Sequence, residues 1–250
     1  MNAARYFVFL TLALGAACSR SPTTPEEAKP ASSVSPGPRS TASAQSAFVV
    51  ASPKPYADPP ASALGALAPN TGVPVGSAVP DISALDLSGA QVRLASLYSK
   101  GPILLAFYRG GWCPYCNMEI HSLTLAYPEY QKRGVTPVAL SVDQPAAEAE
   151  MRATYTVPFP LLSDQNAKAI AAFQLVKTVS GEELAKMKSF GVDLEHYSGT
   201  SQHQIAIPAL FLIDRAGIVR WAHSDPDFKV RPNTAQILAA IDAAKLDVKD

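Results

Sequence analysis

Residues 103–108 read ILLAFY, six positions without a polar interruption. A strand built this way is buried on both faces, because a solvated face would restore a two-residue alternation of apolar and polar side chains. The same demand recurs along the chain. VTPVALSVD (135–143) is a second buried strand and FPLLSD (159–164) a third. IPALFLID (207–214) and IVRWAH (218–223) are two more, separated by a turn at Arg215-Ala216-Gly217. Helical spacing fills the gaps. Ile120, Leu123, Thr124 and Tyr127 mark one helix that Gly134 ends, and residues 146–155 a second. AKAIAAF (167–173) is a third with Asp164 as its cap, and TAQILAAIDAAKL (234–246) a closing helix behind Asn233 or Thr234. Ahead of them, PDISALDLSGAQVRLASLY (80–98) alternates on either side of Ser88-Gly89, a hairpin signal. Strands alternating with helices, then a hairpin and a helix, predict an α/β fold. It is a mixed central sheet with helices on both faces and an N-terminal hairpin extension.

The chain before this domain has another character. Arg5 and the apolar run 6–17, too short to span a bilayer, read as a secretory signal peptide over residues 1–17. Gly15, Ala16 and Ala17 precede Cys18, and this ending resembles a bacterial lipoprotein signal, which implies lipidation at Cys18 and attachment to the membrane of the cell envelope. Residues 18–70 are dominated by Pro, Ser, Thr and Ala, with few large apolar side chains to offset the entropy of ordering them. They are expected to form a disordered tether spanning roughly 40 Å. The folded domain is placed at 71–246. Export puts it where disulfides persist. The 21 basic and 21 acidic residues cancel, which argues against a nucleic-acid partner held by a strong positive field.

Two of the chain's three cysteines lie in FYRGGWCPYCNMEI (107–120), where the first buried strand gives way to a helix. Free N–H groups and the positive end of the helix dipole stabilise a thiolate there. Structural zinc needs four ligands, and beyond Cys113 and Cys116 only Cys18 and the scattered His121, His196, His203 and His223 are available. Covalent haem needs His after the second cysteine, and residue 117 is Asn. A tight C-x-x-C loop is poorly placed to brace a fold. Thiol redox chemistry remains, with no metal and no organic cofactor.

LLAFYRGGWCPYCNMEI, FPLLSDQNAKAIAAF and IPALFLIDRAGIVRWAHSDPDF together resemble the thioredoxin-like superfamily, and within it the peroxiredoxin (alkyl hydroperoxide reductase/thiol-specific antioxidant) branch. The resemblance implies a three-layer thioredoxin-like sandwich, a hydroperoxide substrate, and recycling by thioredoxin or a similar dithiol. It admits two registers. In the thioredoxin register Cys113 is the exposed nucleophile and Cys116 the resolving thiol. Pro208 then occupies the place of a cis-proline facing the disulfide. In the peroxiredoxin register Cys116-Asn117-Met118-Glu119-Ile120 matches C-P-T-E-I, and Cys116 attacks the peroxide. Arg109 and Cys113 stand where that family carries Pro and Thr, and Pro208 lies near its Arg. Arg109 and Arg231 are candidate substitutes for the missing peroxide-binding groups. Ala106 replaces the buried Asp of the thioredoxin pattern. Trp112 is a lid or packing residue, Glu119 a supporting residue or a favourable charge in the helix's first turn, and His121 an exposed helix residue. The leading expectation is a peroxidase acting through Cys116. The alternatives are an exported thiol–disulfide reductase acting through Cys113, and a redox-inactive binding domain.

Overall fold

The computed structural model describes residues 56–246. The signal peptide, Cys18 and most of the expected tether lie outside the described residues. In chain order the elements are β1 (Ser83–Leu85), β2 (Gln91–Arg93), α1 (Ala95–Tyr98), β3 (Ile103–Phe107), α2 (Pro114–Leu125) and α3 (Tyr127–Lys132). There follow β4 (Thr136–Ser141), α4 (Pro145–Tyr155), β5 (Leu161–Ser163), α5 (Lys168–Ala172), β6 (Val176–Thr178) and α6 (Gly181–Ser189). The chain closes with α7 (Leu194–Ser198), β7 (Gln204–Ala206), β8 (Ala209–Ile213), β9 (Val219–Ser224) and α8 (Thr234–Ala243).

Seven strands form one mixed sheet in the order β2-β1-β5-β4-β3-β8-β9. β3 runs parallel to β4 and antiparallel to β8, so the ILLAF run is the middle of the sheet, and all five of its residues are buried. This is the α/β sandwich expected from the uninterrupted apolar strands, with the hairpin β1–β2 added at one edge. On β3 the Phe107 ring packs on Phe173 at 4.8 Å and on Phe211 at 5.9 Å. Each such pair adds about 0.5–1.5 kcal/mol beyond burial. Antiparallel β8 brings Pro208 and Ala209 to the carboxyl end of β3, beside the cysteine motif.

Several elements differ from the sequence reading, each for a local reason. The hairpin's second arm stops at Arg93, and residues 95–98 turn into a helix. The helix after the cysteines breaks at Ala126, because Pro128 has no N–H to continue the α2 ladder and instead sits in the first turn of α3. Asp164 does cap α5, its carboxylate accepting from the N–H groups of Lys168 and Ile170. Asn233 caps α8 through the Gln236 N–H. β6, α6, α7 and β7 went unread. Their strands are three residues long and α6 is polar, although Ser180 and Glu183 carry a capping box that a search for S-x-x-E would have found.

The boundary at residue 71 is too late. Residues 56–70 are not a free tether but part of the domain. The Ala57 N–H donates to the Lys229 carbonyl, and the Arg231 N–H donates to the Ala57 carbonyl, so the entering chain is stitched to the loop after β9. Ser224 donates its N–H to the Ala66 carbonyl, and the Ser224 hydroxyl accepts from the Ala68 N–H. Gly65, at φ +77°, lies so close to Trp221 that a Cβ would fall 2.7 Å from the indole nitrogen. A segment poor in large apolar residues is ordered here by backbone pairing, which composition does not reveal. Limited proteolysis of the full chain is expected to leave a protected fragment that begins before residue 60. A fragment beginning at 71 would contradict this packing.

Candidate active site

The loop between β3 and α2 is shaped by its glycines. Gly110 has φ +147°, and a Cβ there would fall within 2.6 Å of Asp143 Oδ1 and closer still to Trp112 Nε1. The Cys113 N–H returns to the Gly110 carbonyl, which tightens the loop. Cys113 is then the N-cap of α2, and Pro114 takes the first helical position, where a missing N–H costs nothing. Cys116 follows three residues later, in the same turn. Both sulfurs are free thiols, and the residues are 1% and 0% exposed.

Two arginines address the two sulfurs. Arg231 Nη2 donates to Cys116 Sγ at 3.3 Å, and Arg109 Nη1 lies 3.8 Å from Cys113 Sγ. Arg231 also forms a buried ion pair with Glu119, and its Nε donates to the Phe228 carbonyl at 3.0 Å. Burial opposes the Arg231 charge, yet Glu119 and the two thiols override it and raise its pKa. Burial pushes the Glu119 carboxyl up to about 7 against the pull of Arg231. The thiols split apart. A hydrogen bond from Cys116 lowers Cys113 to about 6, with Arg109 and Arg231 helping and burial resisting. Burial, and the role of donor to Cys113, hold Cys116 well above the ordinary thiol range.

A second polar group underlies the loop. The Gly111 N–H donates to Asp143 Oδ2 at 2.6 Å. Ser141 Oγ receives the Asp143 N–H and donates to Glu148 Oε1, while the Tyr108 hydroxyl donates to Glu148 Oε2. Burial raises Asp143 to about 7, and burial together with Asp143 raises Glu148 to about 8. The charge of Cys116 is felt at Asp143 and pushes its carboxyl up further. A buried carboxyl therefore accompanies the motif after all, supplied from the end of β4 rather than from the Ala106 position on β3. The sequence reading missed Asp143, Glu148 and Tyr108. The available signal was topological, since parallel β3 and β4 converge their carboxyl ends at this point.

The other expected residues are placed as follows. The Arg109 guanidinium stacks over the Trp112 ring at 4.9 Å and over the Phe228 ring at 4.1 Å. Trp112 is 9% exposed and packs into the roof of the site. Glu119 is buried and held by Arg231, so it is a supporting residue and not a solvated first-turn charge. His121 is exposed on α2, against Tyr155. Pro208 is buried at the end of β3, where its carbonyl accepts from the Asp225 N–H. The cis form expected there is not found. No described peptide bond is cis, and Ile207–Pro208 keeps the trans geometry that X–Pro bonds favour. Among the described residues no cluster of His, Cys, Asp and Glu is arranged to hold a metal, and no helix is long and apolar enough to cross a membrane.

Comparison with known proteins adds three findings. The AhpC/TSA family profile matches residues 75–222. The thiol-disulfide oxidoreductase ResA of Geobacillus thermodenitrificans is 36% identical over 104 residues, 41% of this chain and 59% of that protein, so the chain spans well under two thirds of its length. Among solved structures, the peroxidoxin BcpB of Mycobacterium tuberculosis superposes with a TM-score of 0.53 at 22% identity, covering 70% of this chain and 98% of that one. The peroxiredoxin 6 of Arenicola marina gives 0.57 at 18% identity, covering 72% and 76%. At these identities the two structures speak to the fold alone.

The ion pair makes a pH-dependent prediction. Arg231→Met leaves Glu119 buried without a counter-charge. Its folded pKa, already raised, rises further, so the stability that goes with its neutral form is complete at low pH and is lost as pH climbs through that value. Urea unfolding is expected to show a loss of about 3–5 kcal/mol at pH 8 and a clearly smaller loss at pH 5. Equal losses at both pH values would contradict the assignment of Arg231 as the partner of Glu119.

Proposed function

The chain belongs to the AhpC/TSA family, and we propose that within it this oxidoreductase is a dithiol peroxidase in which Cys113 attacks and Cys116 resolves. One observation carries the reading. A thiol held at about 6 sits in a site where neither cysteine residue is more than 1% exposed, an enclosure that favours a small substrate over a protein. The Cys113 thiolate attacks one oxygen of a hydroperoxide. The O–O bond breaks, the departing alkoxide takes a proton to become an alcohol or water, and Cys113 becomes a sulfenic acid. The Cys116 thiol then attacks the Cys113 sulfur. An S–S bond forms, and the hydroxide leaves as water with the Cys116 proton. The thiol pair has given two electrons to the peroxide, and an external dithiol small enough to enter the site returns them.

This order reverses the peroxiredoxin register, in which Cys116 attacks. The difference is electrostatic. Cys116 is the more deeply buried sulfur and donates its proton toward Cys113, so the negative charge rests on Cys113. Arg109 lies beside that charge, and Arg231 donates to Cys116.

A second reading has specific support. The Geobacillus relative is named a thiol-disulfide oxidoreductase. Cys113 is also the attacking sulfur in that chemistry, and only the substrate changes, from a peroxide to a disulfide.

Rapid mixing of the reduced protein with hydrogen peroxide tests the proposal. Cys116→Ser is expected to consume one equivalent and stop as a sulfenic acid that dimedone traps at Cys113. Cys113→Ser is expected to react no faster than free cysteine. The reverse pattern would return the attack to Cys116. Wild-type protein that reduces insulin but leaves peroxide untouched would replace this reading with the second.

A further inference from the structure

The burial of Cys113 is at odds with its position. An N-cap residue at the tip of a helix, next to an exposed Pro114, is ordinarily open to solvent, yet Cys113 is 1% exposed. One partner of the residues around it comes from far along the chain. Phe228, on the loop after β9, lies edge-on to Tyr115 with ring centroids 5.5 Å apart. The Arg109 guanidinium fills the space between the Phe228 and Trp112 rings, 4.1 and 4.9 Å from their centroids. Tyr115, Arg109 and Trp112 flank Cys113 in sequence, and Phe228 joins them from outside that segment.

The loop that carries Phe228 is fixed in place. Asp225 Oδ1 accepts the Asp227 N–H, Asp227 Oδ1 accepts the Lys229 N–H, and the Val230 N–H donates to the Asp227 carbonyl. Ala57 pairs with the backbone on both sides of Val230. The Phe228 carbonyl accepts from Arg231, the same side chain that reaches Cys116. One short loop thus sets a ring against the Arg109 that reaches the outer sulfur and brings a guanidinium to the inner one. The ring meets Tyr115 and Arg109 through aromatic and cation–π contacts, which part far more readily than the backbone bonds beneath it.

We propose that Phe228 is the specificity-determining residue of the site: its ring bars macromolecular disulfides from Cys113 while leaving small oxidants a path. The proposal rests on Cys113 being the attacking sulfur. It names the side chain that separates the two chemistries open to this cysteine pair. Opening the roof converts a site for small molecules into one that a protein disulfide can enter, with no change in the sulfurs.

The test uses the full-length reduced protein and one reactive group in two sizes, N-methylmaleimide and a maleimide bearing a polyethylene glycol chain. Modification is read at the Cys113 peptide by mass spectrometry. The ratio of the two rates cancels any change in thiolate content. Phe228→Ala is expected to raise the bulky-to-small ratio about tenfold or more and to confer insulin reduction that the wild type lacks. Phe228→Trp, which keeps a roof, is expected to leave the ratio at the wild-type value. Phe228→Leu, a milder truncation, is expected to fall between them and guards against misfolding of the alanine variant. A ratio unchanged in both Phe228→Ala and Phe228→Leu overturns the proposal. Hydrogen peroxide consumption by the wild type is measured alongside. If the ratio rises while the wild type ignores peroxide, the gate stands and the peroxidase reading falls.

Discussion

A guanidinium buried in the protein organises this site. Arg231 is 2% exposed and comes from the far end of the domain, yet it meets both Glu119 and Cys116 on α2. An isolated charge at that depth would cost several kcal/mol, so its position is tolerable only where Glu119 answers it. That requirement ties the loop after β9 to the first turns of α2. The same loop is stitched to Ala57 at the start of the described chain, so three segments distant in sequence are bound to one another at the cysteines. Their joint product is a pair of sulfurs enclosed by protein and faced by two positive charges.

The consequence for the chemistry is an unequal sharing of one proton. Two thiols in hydrogen-bonding contact titrate as a pair, and the first proton to leave belongs to both. Burial penalises charge more at Cys116 than at Cys113, and the helix end and Arg109 favour it at Cys113. Motif matching cannot deliver this ordering. CNMEI sets Cys116 in the place of the peroxiredoxin attacker, while WCPYC sets Cys113 in the place of the thioredoxin one. The environment of each sulfur, and not its place in a pattern, favours Cys113.

The sheet was legible because its central strands are apolar without interruption, and such strands have one way to be buried. Phe107 and Phe211 needed no structure to be placed in the core. The caps Asp164 and Asn233 were equally plain, since each acts within six residues of its own position. The cysteine pair was legible for the same reason: its spacing is local. What escaped is everything that arrives from a distance. Phe228 reads as an ordinary residue in SDPDFKV, and nothing in that stretch shows that its ring meets Arg109 and Tyr115 beside the cysteines. Asp143 and Glu148 read as the end of a strand and a helix charge. Their burial, and the carboxyl pKa values of about 7 and 8 that follow, exist only once β4 lies beside β3. Residues 56–70 look like a tether because composition records side chains, and this segment is held largely by its backbone.

In the reduced site the negative charge is assigned to Cys113. Carbon NMR of protein labelled at the cysteine Cβ, with Cys113 and Cys116 assigned through single serine variants, follows each sulfur separately as pH is raised. The expected result is a Cys113 titration with its midpoint near 6 and a Cys116 signal that stays in the thiol form well past the ordinary thiol range. A midpoint near 6 on Cys116 instead, or two sulfurs that both titrate near the ordinary value of about 8.5, would contradict it.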